Sequence, residues 1–168
     1  SAQMPGVRIP MAAFMGSVGV MPGAPEVAAW KAREGALAAA GGIALMPQPT
    51  GAQPAAVCGP EGSDAADCLR TIPPRENGGN MDVQQMQIGT TLLLPCYVDG
   101  CGVFVGDVHF AQGDGEVSGT AIEIGAKVTI RTEIRSGAGA HITGPQFEGG
   151  AQLKTIAPSE FYATVGFP

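Results

Sequence analysis

The chain has 168 residues, with 9 Lys and Arg against 15 Asp and Glu, for a formal net charge of −6 and a pI near 4.7. That balance excludes a nucleic-acid backbone as partner, because gripping phosphates takes a basic face. No basic stretch leads into an apolar one at the start of the sequence, and no apolar run approaches the length of a membrane span, so neither a leader nor a membrane contact is expected.

Although 26 Gly and 14 Pro bring the composition toward low complexity, 45% of the residues are hydrophobic and they fall in runs. The expected molecule is one folded, loop-rich, mostly β domain. Residues 1–23 mix Met, Val and Ile with glycine breakers, which predicts short extended pieces at Val7–Ile9 and Phe14–Met21, with the apolar cluster Met11–Met21 in the core. Pro25-Glu26 then opens the one convincing helix, Pro25–Ala40. Proline suits the first turn, Glu26 complements the positive helix end, alanines fill the body and Gly41-Gly42 ends it. It is expected to be a packing helix, with Trp30, Lys31, Arg33 and Glu34 on a partly exposed face.

Met46–Asp67 reads as a long loop. Segment 70–82 follows, stiffened by Pro73 and Pro74 and freed by Gly78 and Gly79. It is either a polar turn held by Arg–carboxylate pairs or one wall of a site, with Asn80 and Asp82 facing the same way. Leu92–Val98, a turn at Asp99-Gly100 and Val103–Phe110 read as a β-hairpin. Lys127–Ile134 alternates apolar and polar residues as a half-buried antiparallel strand should, and Leu153–Ile156 and Phe161–Phe167 are expected late strands. Cys58, Cys68, Cys96 and Cys101 have no C-x-x-C spacing, which argues against structural zinc. A Cys58–Cys68 bridge is open to an oxidising compartment, but reduced thiols and a cytoplasmic location are the expectation.

The chemistry concentrates between Gly106 and Glu123, which hold Asp107, His109, Gln112, Asp114, Glu116 and Glu123. Asp107 and His109 stand two apart on an extended segment and so share a face. Gln112-Gly113-Asp114-Gly115 reads as a tight turn that presents them near a hairpin tip. Asp107 and His109 suit one cation, with Asp82, Asp114 or Glu116 completing its shell. They equally suit acid–base work, His109 oriented by Asp107 and acting on water, with Glu116 or Glu123 as proton shuttle. On a regular strand those two glutamates have opposite parity, so one stands outside the site unless Ser118-Gly119 bulges. A structural cation such as calcium in a non-catalytic β-sandwich binding module would use the same oxygens. His141 reads as a surface or packing residue, and no base adjoins Cys96 or Cys101 to make a nucleophile.

Three motifs, Arg-Thr-Ile-Pro-Pro-Arg-Glu-Asn-Gly-Gly-Asn-Met-Asp (70–82), Gly-Asp-Val-His-Phe-Ala-Gln-Gly-Asp-Gly-Glu-Val (106–117) and Ala-Ile-Glu (121–123), together with Gly-Ser-Val-Gly-Val-Met-Pro (16–22), resemble the acetamidase/formamidase family in content, order and spacing. The resemblance implies a mainly β, jelly-roll-like β-sandwich with one or more short helices, forming homo-oligomers. It implies hydrolysis of a small linear or cyclic amide, such as formamide, acetamide or a γ-lactam, assisted by a divalent metal ion, zinc or else calcium. For such a hydrolase the residues available are His109, Asp107, Glu116, Asp114 and Glu123 as the catalytic set, with Asp107 and His109 holding the cation or activating water directly and Asp114 and Glu116 as further ligands or proton shuttle. Asn80, Asp82, Gln112 and Gly79 would hold the amide, and glycine N–H groups at Gly78-Gly79 or Gly113 are candidate oxyanion donors. Family members are much longer, so residues 1–168 are expected to be the central β-rich portion, completed by further segments of the same enzyme. Cys96 and Cys101 fall where relatives carry small apolar residues, which points to packing.

Overall fold

Strand β1 (Phe14–Gly19) joins the segments that carry the chemistry, because it pairs on both sides: with β2 (Gly78–Asn80) and with β4 (Phe104–Ala111), both antiparallel. Its registers set Ser17 opposite Asn80 and Phe14 opposite His109. A short strand β5 (Ile122–Glu123) completes one sheet of order β2-β1-β4-β5. A second antiparallel sheet has the order β3-β6-β7, from Thr91–Leu93, Gln146–Gly149 and Phe161–Thr164. This computed structural model describes residues 3–42, 51–149 and 161–164. The sheets share a core in which Val18 of β1 meets Met86 and Phe147, with Met15, Met81, Val83 and Leu92 packed against them. The molecule is mainly β with few helices, as expected.

Helix α1 spans Ala24–Ala39, one residue from the expected bounds, with Pro25 in its first turn and Gly41 in the left-handed region past its end. It packs through Val27 and Trp30. The expected exposed position of Trp30 is therefore corrected: it is 5% exposed and sets its ring edge-on to Tyr97 at 5.7 Å. Burial, with Glu76 and Glu26 nearby, pushes the Tyr97 phenol up to about 12. One turn further along the same face, Glu34, with Arg33 beside it, holds segment 70–82 by ion pairs. Glu34 accepts from Arg70 Nη1 at 2.7 Å and from Arg75 Nε at 2.7 Å, and Arg33 pairs with Glu76. Arg75, 2% exposed, also donates to the carbonyls of Arg70 and Pro73. Burial lowers the Arg75 pKa despite the raising effect of Glu34. The polar-turn reading of 70–82 holds, but its acids come largely from α1, which no local pattern could show.

Several expectations fail for one reason: alternation and turn signals do not name a partner. The hairpin Leu92–Phe110 does not form, since β3 pairs with β6 and β4 with β1. Only its turn is present, with Cys101 N–H donating to Val98 O at 3.0 Å, and beyond it the Cys101 carbonyl accepts from Met21 N–H at the end of β1. Lys127–Ile134 forms no strand and pairs with no described one, and residues 122–137 are exposed at both parities. Val7–Ile9 is exposed coil, and Met11 and Met21 are exposed while Phe14, Val18 and Val20 form the core. The predicted loop up to Asp67 contains a one-turn helix α2 (Ala55–Cys58), and its residues 46–50 lie outside the described residues, as do Leu153–Ile156 and residues 165–167.

Both cysteine pairs are bridged, Cys58–Cys68 and Cys96–Cys101, which corrects the reading of reduced thiols and removes the premise of a cytoplasmic location. No described helix is long and apolar enough to cross a membrane. The bridges close loops of sequence separation 10 and 5. Loop-closure entropy then gives about 2.5 kcal/mol for the first and about 2 kcal/mol for the second. Denaturant titration of a Cys58→Ser/Cys68→Ser variant is expected to show a loss near the first figure, and an unchanged midpoint would contradict it.

Candidate functional site

His109 lies near the middle of sheet one and is 1% exposed. Phe14, opposite it on β1, meets its ring edge-on at 4.9 Å, while Glu123 lies opposite it on β5. The carbonyl of Gly16 accepts from both Met81 N–H (2.9 Å) and Asp82 N–H (3.1 Å), which draws the end of segment 70–82 under the ring. The imidazole Nε2 thus stands 3.2 Å from Asp107 Oδ1, 3.5 Å from Glu123 Oε2 and 3.9 Å from Asp82 Oδ1. Ligand-type atoms of Asp82, Asp107 and His109, and those of His109, Glu116 and Glu123, lie within 4.8 Å of one another.

Gln112 fixes which nitrogen faces the acids. Its Nε2 donates to the Asp82 carbonyl at 2.7 Å, so its Oε1 must be the atom 2.9 Å from His109 Nδ1. An oxygen there accepts, which leaves the ring proton on Nδ1 and, in the neutral ring, a bare lone pair on Nε2. A lone pair facing three carboxylates is repulsive unless a proton or a cation sits between them. Burial opposes the charged ring, yet Asp107 and Glu123, with hydrogen bonds that the ring donates to Asp107 and Gln112, outweigh it and raise the His109 pKa. Asp82 shows the converse: burial first, then Glu116 and Asp107, push its carboxyl up to about 7 against the lowering effect of His109.

Backbone conformation marks the same residues. Four described non-glycine residues have positive φ, and three of them are Asp82 (52°), Asp107 (54°) and Glu116 (44°). Each costs about 1–2 kcal/mol relative to ordinary geometry, and such strain gathers where function over-determines the chain.

The donor set fits a cation on two further observations. Asp82 Oδ1 is buried without a hydrogen-bond partner among the described residues, while Oδ2 accepts from Asn80 Nδ2. A Cβ on Gly16 would fall 2.6 Å from Asp82 Oδ1, 2.6 Å from Asp107 Oδ2 and 2.9 Å from His109 Cε1, so the three side chains converge on space that a glycine leaves open. Carboxylate oxygens with one imidazole nitrogen are suitable ligands for a divalent ion.

Of the expected residues, Asp82, Asp107, His109, Glu116 and Glu123 are brought together. Glu116 and Glu123 both reach His109, because residues 112–121 form a 3₁₀ turn at Asp114–Glu116 and a loop, with a register shift between β4 and β5. The parity argument assumed a regular strand and does not apply. Asp114 is exposed and joins neither grouping among the described residues. Asn80 accepts from Ser17 Oγ at 2.7 Å and donates to Asp82, and both polar ends of Gln112 are engaged within the protein. Gly79 is buried in β2 beside the Thr71 carbonyl, and the Gly78 N–H donates to Arg75 O at 2.8 Å. Sequence reasoning missed Gly16 and the bridging role of Gln112. The first had a signal, a glycine inside a strand pattern, and the second had none, because it depends on a carbonyl 30 residues away.

A mainly β protein with a buried imidazole ringed by strained carboxylates defines a carboxylate–histidine centre of the kind that holds a cation or moves protons in hydrolysis. The chain belongs to the Acetamidase/Formamidase family, whose profile matches residues 1–168. It is 36% identical to the acetamidase of Mycolicibacterium smegmatis over 149 residues, covering 82% of this chain and 36% of the relative. It is 35% identical to the formamidase of Methylophilus methylotrophus, covering 78% of this chain and 34% of that one. The solved gamma lactamase from Delftia acidovorans superposes with a TM-score of 0.59 at 39% identity, over 72% of this chain and 31% of that structure. The chain thus spans about a third of the length of these relatives.

The shifts at Asp82 and His109 give a pH dependence of defined sign. Asp82 in the folded, metal-free chain keeps its proton up to about pH 7, whereas the unfolded chain releases it near 3.8. That stabilisation is full below the lower value and is lost as pH rises to the upper one. His109, also raised, loses its contribution as pH climbs above 6.5 through its folded value. Melting of metal-free protein is expected to fall by about 1 kcal/mol per pH unit between pH 5 and 7. Asp82→Asn should flatten that slope, and an equal slope in the variant would contradict the assignment.

Proposed function

We propose that the chain forms the central β-rich part of a hydrolase that cleaves the C–N bond of small linear or cyclic amides, formamide, acetamide or a γ-lactam, to a carboxylic acid and ammonia or an amine. The observation that carries this reading is the His109 Nε2 lone pair, aimed by Gln112 at Asp107, Glu123 and Asp82. Family membership supports the amide as the class of substrate.

Asp82, Asp107 and His109 would hold a divalent ion, and zinc is the proposed metal because an imidazole among carboxylates suits a borderline cation better than calcium, which prefers an all-oxygen shell. Such an ion supplies polarisation of the amide carbonyl and a more acidic water. The side chains do the rest. Glu123, 49% exposed beside a buried ring, and Glu116 are placed to take the proton of the attacking water and return it to the departing nitrogen, so that amide and water become acid and amine. Asp107 has a 32% exposed side chain, so with Glu123 it leaves the centre open to solvent. Asn80 acts through Asp82 and Gln112 through His109, each holding its partner's orientation.

The jelly-roll sandwich is the architecture we infer for the whole protein, supported by the core that Val18 and Phe147 share between the sheets. Further segments of the enzyme and a homo-oligomer are the partners we infer. The exposed run with Ile122, Ile124, Val128, Ile130 and Ile134 supports such a cover.

Ammonia release from formamide and acetamide, and ring opening of a γ-lactam, are the tests, run before and after chelation with metal content determined on the same sample. Asp107→Asn and His109→Gln are expected to lower kcat by about 10²–10⁴. Turnover that survives complete metal removal would leave acid–base catalysis by His109 and the glutamates and remove the cation. Turnover unchanged in both variants would remove the site.

A further inference from the structure

Gly16 stands opposite Asp107 in the β1–β4 ladder, between the pairs Met15 with Val108 and Ser17 with Gly106. Glycine inside a strand lowers stability, so its presence needs a reason. Backbone conformation is not that reason, because Gly16 lies outside the left-handed region, unlike Gly78 (φ 88°) and Gly79 (φ 120°). Alanine could adopt the same φ and ψ. The reason is space, and the atoms bounding that space are the three polar side chains of the site. The hypothetical Cβ would meet Asp82 Oδ1, Asp107 Oδ2 and His109 Cε1, all within 3 Å. Two of these are the free ends of carboxylates, one of them the buried oxygen without a partner. Neighbouring glycines differ: at Gly19 a Cβ would meet the Phe104 ring and the Asn77 carbonyl, and at Gly106 it would meet nothing within 4 Å.

We propose that Gly16 is a positioning residue: its missing side chain holds open the space where the Asp82 and Asp107 carboxylates and the His109 ring meet, and so admits one divalent cation there. Its carbonyl contributes as well, since it takes the N–H of Asp82 at 3.1 Å and fixes that carboxylate's backbone over the same space. This inference rests on the reading of the centre as a cation site. A methyl group at residue 16 would drive the two carboxylates apart without touching the core cluster of Val18, Met86 and Phe147.

The test is zinc titration by calorimetry of the full chain, with Gly16→Ala beside Gly106→Ala, and metal-free melting of all three proteins. Zinc affinity is expected to fall by about 10–100-fold in Gly16→Ala and to stay at the starting value in Gly106→Ala, with metal-free melting of Gly16→Ala within a few degrees of the parent. Equal zinc affinity in Gly16→Ala and the parent would overturn the proposal while leaving the cation site standing. Loss of folding in Gly16→Ala would also overturn it, because the glycine would then serve the fold and not the site. A parent chain that binds no zinc would remove the cation reading itself and the role of Gly16 with it.

Discussion

One carboxamide governs the centre. Gln112 bridges the Asp82 carbonyl and His109 Nδ1, and so couples segment 70–82 to strand β4 across the space where the acids meet. Reversing that amide would set oxygen against oxygen at Asp82 and hydrogen against hydrogen at His109. The protein therefore fixes one tautomer and leaves the other ring nitrogen for chemistry. The amide adds to the raised His109 pKa, which Asp107 and Glu123 chiefly cause against burial, and it aims the free nitrogen at the acids that fit a cation.

Holding like charges together costs free energy, and the surrounding structure shows where that cost is offset. Positive φ at Asp82, Asp107 and Glu116 means the backbone is bent to bring acids inward, against local preference. Such geometry persists only if neighbouring contacts over-determine it. On one side β1 and β4 keep one register on both sides of the site, Phe14–His109 and Met15–Val108 before it and Ser17–Gly106 to Gly19–Phe104 after it. On the other, Glu34 grips Arg70 and Arg75, which leaves segment 70–82 little freedom to relax. The Glu34 pairs are nearly buried, so breaking them would leave charge poorly compensated away from water, and the clamp is correspondingly stiff.

The exposed run from Ile122 to Ile134 stands in contrast. Ile122 and Glu123 pair with β4 as β5, and Ile124 N–H donates to Val108 O, whereas Lys127–Ile134 has the alternation of a strand but no described strand partner. The side chains of Val128, Ile130 and Ile134 are exposed and stand outside the core cluster of Val18, Met86 and Phe147, whereas Glu123 at the start of the run belongs to the centre.

Local chemistry was legible from the chain alone. Pro25 and Gly41 bounded α1 to within a residue, because capping and φ preferences act over a few positions. Asp107 and His109 came out as neighbours because period-two geometry is local. The motifs at 70–82 and 106–123 were enough to name the family. What the sequence could not supply was pairing. That β4 turns to β1 and not to β3, that Trp30 is core, that Glu34 reaches Arg75, and that Glu116 and Glu123 both arrive at His109 depend on contacts between residues far apart in sequence. Residue types and spacings determined which groups were available for chemistry. Only the tertiary structure decided which of them share one space, because burial, register and a hydrogen bond across 30 residues are properties of the folded chain and not of any window along it.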